Sequence, residues 1–343
     1  MRRSFILKAI AVLVAIVISG HGEQSWANPS PVPPATVFLS RTDRILLPPG
    51  WNAPEMLYPR GRIDYRQVAG LLATAIRPFT GCDDPLKNPW REIATPQDKV
   101  GIQVDLREPP VAIETINAVI DALINSGVSQ DNIIVYAGSE GELFAAGISV
   151  NPKGRGIRTM GSESEGFRSG LSRIVLDYCT VIVNVARLRA DKDLGIRGCV
   201  TNCLATVPHV DRVRLLAQPT ELPGAAAHPV LRRKTRLHIL EAYQPVLEDT
   251  GEDFPPVWEY RGLLMSSDPV ATDLIGLRIL AAKQAATRQN SEVDAASAQA
   301  ALQYLQAAGS ERFRAGQSNP DEITLQVIGT TKDILIEAAP PEP

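Results

Sequence analysis

From Val100 onward the chain alternates short apolar runs with amphipathic stretches. Val100–Val104 is a Val- and Ile-bearing run of strand length. The segment after it sets Ile113, Ile116, Ile120 and Leu123 on one helical face, while Glu114, Asn117 and Asp121 fall on the other. Gly127 supplies a stop, and Ile133-Ile134-Val135-Tyr136 reads as a second strand. Strand, amphipathic helix and strand within about thirty residues predict a right-handed parallel crossover, because parallel strands need a long connection that packs back onto the sheet.

The same alternation extends in both directions. Tyr65, Val68, Leu71, Leu72, Ala75 and Ile76 recur at helical spacing within 63–80, ahead of Gly81. Val181-Ile182-Val183-Asn184-Val185 is a buried-strand pattern, and Leu237–Ala242 and Leu263-Leu264-Met265 are weaker ones. Asp268-Pro269 opens a helix reaching about Ala282, since an aspartate can cap free amides while proline fits the first turn. A last helix over Ala295–Ala308 stops at Gly309, and Ile323–Val327 closes with a strand. The fold class expected is α/β, a mostly parallel sheet flanked by helices, over residues 61–332 in one lobe or two. Residues 333–343 form a tail. Residues 28–60 carry Pro29, Pro31, Pro33, Pro34, Pro48, Pro49, Pro54 and Pro59 and read as an extended arm rather than a sheet element, because proline lacks the amide donor.

Residues 1–27 read as a cleavable export signal. Arg2, Arg3 and Lys8 make a basic start, Ala9–Ser19 is an apolar run shorter than the ~20 residues a bilayer span needs, and Ser25-Trp26-Ala27 offers small side chains before a cut at Asn28. Arg2-Arg3-Ser4-Phe5-Ile6 resembles a twin-arginine signal, which exports folded protein; an ordinary threading signal is the other reading, and an uncleaved anchor the plain alternative. Either export route places the mature chain in the periplasm or outside the cell, with no membrane span after cleavage.

Composition narrows the function classes. Of 343 residues 44% are hydrophobic and 21% charged, which excludes a disordered chain and a multi-span membrane protein. The formal charge is −3, and it becomes −5 when Arg2, Arg3, Lys8 and Glu23 leave with the signal, so the charge argues against a nucleic-acid partner. Aromatic residues at 5% also exclude a base-stacking platform.

The densest chemistry follows the Val181–Val185 run. Arg187, Arg189, Asp191, Lys192, Asp193, Arg197 and Asn202 read as a cationic, hydrogen-bonding loop at the carboxyl end of a strand, a place where a carboxylate or phosphate could be held. The plainer reading is a solvated charged loop. Asp268 and Asp273 lie five apart and could share a metal or a proton, yet capping alone accounts for Asp268 and the spacing does not put both on one helix face. Cys82, Cys179, Cys199 and Cys203 allow three pairings if two bridges form; buried thiols are the plainer reading. The spacing of Cys199 and Cys203 is one helical turn. His238 sits in a strand-like run and reads as a packed residue, whereas His209 follows Pro208 close to the basic segment. The chain has no Gly-x-Ser-x-Gly elbow, no Walker loop and no His-Glu-x-x-His, and Gly154-x-Gly156 lacks the dinucleotide fingerprint. No metal-ligand set is assigned from these residues, and the cofactor is left open.

Several stretches resemble, in order, the domain of unknown function 362 family, in its exported branch. They are Trp90 with Asp98-Lys99-Val100-Gly101-Ile102-Gln103-Val104, then Asn132-Ile133-Ile134-Val135, then Val183-Asn184-Val185-Ala186-Arg187-Leu188-Arg189. Gly198-Cys199-Val200-Thr201-Asn202 and Ser267-Asp268-Pro269-Val270-Ala271-Thr272-Asp273 complete the set, the last being the most specific. The resemblance spans about Ile63 to Thr330 and implies an α/β domain. It also exposes departures. Gln103 stands where the family commonly has lysine, Asp105 where it has asparagine, Leu188-Arg189-Ala190-Asp191 in place of Leu-Lys-x-His, and Thr201-Asn202 in place of Lys-Asn. Glutamine and threonine cannot act as base or nucleophile as lysine can. The resemblance therefore implies a member altered in any catalysis those positions perform.

Two function classes follow, beside the plainer reading of a structural interaction protein whose charged loops are only solvated faces. One is an exported binding protein holding an anionic small molecule through Arg187, Arg189 and Arg197, with Asn202 and His209 orienting it. The other is a periplasmic metal- or redox-dependent enzyme drawing on Asp105, Asp191, His209 or Asp273. Both expect Asp105, Arg189, Asn202 and Asp268 to converge on one cleft.

Overall fold

A computed structural model describes residues 32–48, 61–247, 257–287 and 292–335. Residues 1–27, read above as an export signal, residues 28–31 and 49–60 of the expected arm, and residues 336–343 of the expected tail lie outside the described residues. In chain order the elements begin with β1 (Ala35–Arg41), α1 (Tyr65–Thr80), β2 (Val100–Val104), α2 (Ile113–Ser126), β3 (Ile133–Ala137), α3 (Glu140–Ala145) and β4 (Arg158–Gly161). A small hairpin, β5 (Phe167–Arg168) and β6 (Leu171–Ser172), precedes β7 (Val181–Asp191) and β8 (Gly195–Arg197). Four short helices follow: α4 (Cys199–Asn202), α5 (His209–Leu216), α6 (Pro223–Ala226) and α7 (Pro229–Lys234). The chain closes with β9 (Thr235–Val246), β10 (Gly262–Ser266), α8 (Pro269–Thr287), α9 (Glu292–Gly309) and β11 (Ile323–Gly329).

Nine strands form one sheet in the order β11-β1-β10-β9-β7-β2-β3-β4, with β8 paired to the end of β7. All pairings along the order are parallel except those of β10, which runs antiparallel to both β1 and β9. The expected crossover is present as β2-α2-β3, with Val100 opposite Ile133 and Gln103 opposite Tyr136. This is the mostly parallel α/β sheet that the alternating pattern predicts.

Side-chain alternation sorts the core into two layers. On one face Val183, Ile102, Val135, Ile239 and Leu263 pack against Leu72, Ile76, Ile116 and Leu123 of α1 and α2. On the other, Ile182, Leu188, Leu240 and Leu264 pack against Ile275, Ile279, Tyr304 and Leu305 of α8 and α9. A sheet covered on both faces needs strands with no exposed side, so β2, β3 and β10 are buried at every position.

Two local expectations are corrected. Ala35–Arg41 is a sheet strand, not arm, and sits between β10 and β11. The prolines stop short of it, so Ala-Thr-Val-Phe-Leu-Ser-Arg keeps every amide needed for pairing on both sides. The expected cationic loop is likewise strand as far as Asp191, followed by a tight turn into β8. Alternation explains it: Ala186 and Leu188 enter the core on one face while Arg187 and Arg189 point to the other, where carbonyls and carboxylates receive them.

Candidate functional site

The carboxyl ends of β2 and β7 carry the charged cluster. Asp105, which follows β2, is 2% exposed and accepts a 2.8 Å hydrogen bond from Arg107 Nε, with Arg189 Nη2 at 3.8 Å. Burial pushes this carboxyl up, but Arg107 and Arg189 overcome it and hold it down at about 2. Arg189 donates to Glu108 O at 2.7 Å, and burial lowers its own pKa to about 10. Arg187 donates to Pro110 O and Gln244 O and stands 4.0 Å from Glu241. Glu241 accepts from Ala112 N and Thr115 Oγ1, tying the start of α2 to β9. Asp191 accepts from the amides of Asp193 and Leu194 and pairs with Arg197, which fixes the β7–β8 turn. The three arginines expected to meet an anion are thus engaged by the protein's own acceptors. Together they bind the 105–112 segment and the β7–β8 turn to the end of the sheet.

Behind this rim, on the α8 face, a polar chain runs through the core. Tyr136 Oη donates to Gln103 Oε1 at 3.0 Å, and Gln103 Nε2 donates to Asn202 O at 2.6 Å. Asn202 Nδ2 donates to Asn184 Oδ1 at 2.7 Å and to Val185 O at 3.1 Å. Asn184 Nδ2 donates in turn to Cys199 O at 2.9 Å and meets His238 Nδ1 at 2.9 Å. Asp273, wholly buried on α8, accepts from Cys199 N at 2.7 Å and Val200 N at 2.9 Å, and so caps α4. Burial raises its pKa to about 7 against the pull of those two amides. A Cβ on Gly198 would overlap Asp273 Oδ1, so glycine is what lets the carboxylate reach the helix end. The Gly198–Asn202 and Ser267–Asp273 stretches are therefore in direct contact.

At the opposite edge, where β1 and β9 begin and β10 ends, lies a cleft of about 460 Å³. Val32–Thr36, Thr235, Arg232 and Gly316 form its sides, Phe38 and Phe79 an aromatic wall, and His238 and Cys203 its inner surface. Its size is within the range of small-molecule sites. Asp268 lines it too, but its carboxylate is occupied: Oδ1 accepts from Val270 N and Ala271 N, and Oδ2 from Gln317 N. Burial lowers the His238 pKa to about 3 and raises the Cys203 thiol to about 12. Both groups are neutral and the Cys203 thiol already donates to Cys199 O at 3.4 Å, so this wall offers an imidazole N–H rather than a nucleophile and a base.

The expected convergence on one cleft does not occur. Asp105, Arg187, Arg189, Asp191 and Arg197 stand at the carboxyl rim; Asn202 and Asp273 are interior; Asp268 is in the edge cleft. Ser266 is in register with His238 and thus with Asn184, which puts Asp268 roughly 23 Å along the strand direction from Arg189 at about 3.3 Å per residue. His209 is exposed at the start of α5 and does not line the cleft. All four cysteines are free thiols. Among the described residues no group of three or more His, Cys, Asp or Glu side chains is placed to hold a metal ion, and no helix is long and apolar enough to cross a membrane.

Sequence reasoning missed Gln103, Asn184 and His238 as a set. The signal was present: each is a lone polar residue at the centre of an apolar strand, in Ile-Gln-Val, Val-Asn-Val and Leu-His-Ile. Buried polar groups need partners, and strands of one sheet can supply them to one another. Comparison with protein-family models, with curated proteins and with solved structures gives no match.

Proposed function

We propose that this chain is an exported binding protein that holds a small organic molecule in the edge cleft. The observation that carries the reading is the cleft itself, about 460 Å³ and lined on its inner side by the neutral His238 imidazole and Cys203 thiol. The arginines first expected to hold an anion are engaged internally, so the binding role moves from the carboxyl rim to this edge. The export signal in residues 1–27 and the resemblance to the domain of unknown function 362 family belong to the same proposal. So does the altered set of family positions, which fits a scaffold that retains a pocket and lacks the lysines.

Native mass spectrometry of protein isolated from its own compartment tests the reading. A small molecule should accompany the wild type and be lost in Thr235→Trp, which fills the cleft from the start of β9 while leaving the strand backbone in place. Retention of the same molecule by Thr235→Trp, or the absence of any bound molecule together with no response of the cleft amides to a fragment library, refutes it.

A further inference from the structure

We infer that the cleft selects a small neutral molecule bearing a carbonyl, which accepts a single hydrogen bond from His238 Nε2–H, and that Asn184 is the positioning residue that keeps the imidazole in this donor form. The inference rests on the cleft being the ligand site and adds the chemistry of the ligand.

The tautomer follows from the polar chain. Asn184 Nδ2 lies 2.9 Å from Cys199 O, and Asn202 Nδ2 lies 3.1 Å from Val185 O. Backbone carbonyls accept and cannot donate, so both amide groups are fixed with nitrogen toward those oxygens. Asn202 Nδ2 then donates to Asn184 Oδ1, which holds the Asn184 amide from its other side. His238 Nδ1, 2.9 Å from Asn184 Nδ2, faces an N–H and has to accept. The imidazole proton therefore sits on Nε2, and a second proton on Nδ1 would set N–H against N–H. With Nδ1 turned inward, the Nε2 edge is the one left toward the cleft that His238 lines, and no described residue bonds it. His238 is only 4% exposed, yet its Nε2 is not fully sealed from solvent, so the donor is open to an acceptor in the cleft.

Charge decides what kind of acceptor. Arg232, exposed at the side of the cleft, is a cation that acts on the half-buried Asp268 carboxylate, so these two lining charges offset one another. An anion against His238 would gain no unpaired counter-charge there, and a cation would meet the positive end of an N–H. A neutral carbonyl avoids both penalties. Part of the lining suits an aromatic group, because Phe38 and Phe79 meet edge to face at 5.9 Å, while Thr36, Thr235, Ser267 and Arg232 make much of the rest polar.

A matched phenyl series tests this on the full chain with nitrogen-15 histidine and amide labelling: acetophenone, benzoate, benzylamine and ethylbenzene. In the free wild type the His238 ring should read as the neutral Nε2–H tautomer. Acetophenone should shift the cleft amides of Thr36, Thr235 and Gly316 together with His238 Nε2, and bind more tightly than the other three. His238→Phe should weaken acetophenone about tenfold, and His238→Gln, which keeps a donor, should recover much of the loss. An Nδ1–H tautomer, benzoate binding as tightly as acetophenone, or unchanged acetophenone affinity in a folded His238→Phe overturns the ligand class and leaves the cleft as a site. No response of the cleft amides to any of the four compounds overturns both.

Discussion

Replacing Arg189 by methionine probes whether the charged rim is structural. The Arg189 side chain is 8% exposed, and its guanidinium stands 3.8 Å from Asp105 and donates to Glu108 O at 2.7 Å. Methionine keeps much of the length and the apolar stem while removing both interactions. A unit charge pair at this separation is worth between about 1 kcal/mol in water and about 4 kcal/mol at an effective dielectric of 20. Removing one member of a buried pair strands the other, which commonly costs 3–5 kcal/mol, and Arg107 remains to hold Asp105 in part. A loss of about 3 kcal/mol is expected. The acid side gives a second measure. The Asp105 pKa is lowered from 3.8 to about 2, so the wild type holds about 2 kcal/mol of stability that is present above about pH 4 and is lost as pH falls through 2. In Arg189→Met the Asp105 pKa rises toward 3.8, so the window narrows from its acid end and the stability held there shrinks. Equilibrium urea unfolding at neutral and acid pH would measure both effects, with Asp105→Asn and the double variant closing a cycle. A destabilisation below about 0.5 kcal/mol, or the same loss in the Asp105→Asn background, would refute the claim that these groups act as a pair.

Asp273 predicts the opposite pH dependence. Its pKa is raised from 3.8 to about 7, so the penalty is absent below about pH 4, grows as pH rises and is complete above 7, where it reaches roughly 4 kcal/mol. In Asp273→Asn, urea midpoints between pH 4 and 8 should lose this slope; an unchanged slope would show that another group titrates. Gly198→Ala should destabilise by about 3 kcal/mol, because the new methyl displaces Asp273 from the amides of Cys199 and Val200. Thermal unfolding within error of wild type would mean that the α4 cap is dispensable.

The sequence by itself determined α1, β2, α2, β3, the centres of β7, β9 and β10, α8, α9 and β11, and with them the mostly parallel sheet, since apolar spacing reports local burial and β2-α2-β3 leaves only one sensible crossover. It also determined the Asp268 cap, whose geometry is local to residues 268–271. Pro33 and Pro34 masked β1, because a proline count averages over a window while pairing depends on the seven residues that follow. Only the tertiary structure decided what each polar side chain faces. Arg187 and Arg189 look like a binding loop until Gln244 O and Glu108 O, from other segments, are seen to receive them. His238 looks like one more packed residue until register sets it opposite Asn184 and the departure of β10 opens a cleft at its other edge. Hydrogen bonds and ion pairs are satisfied through space across long sequence separations, so charge and polarity in the primary order do not reveal which groups are engaged and which are open to a ligand.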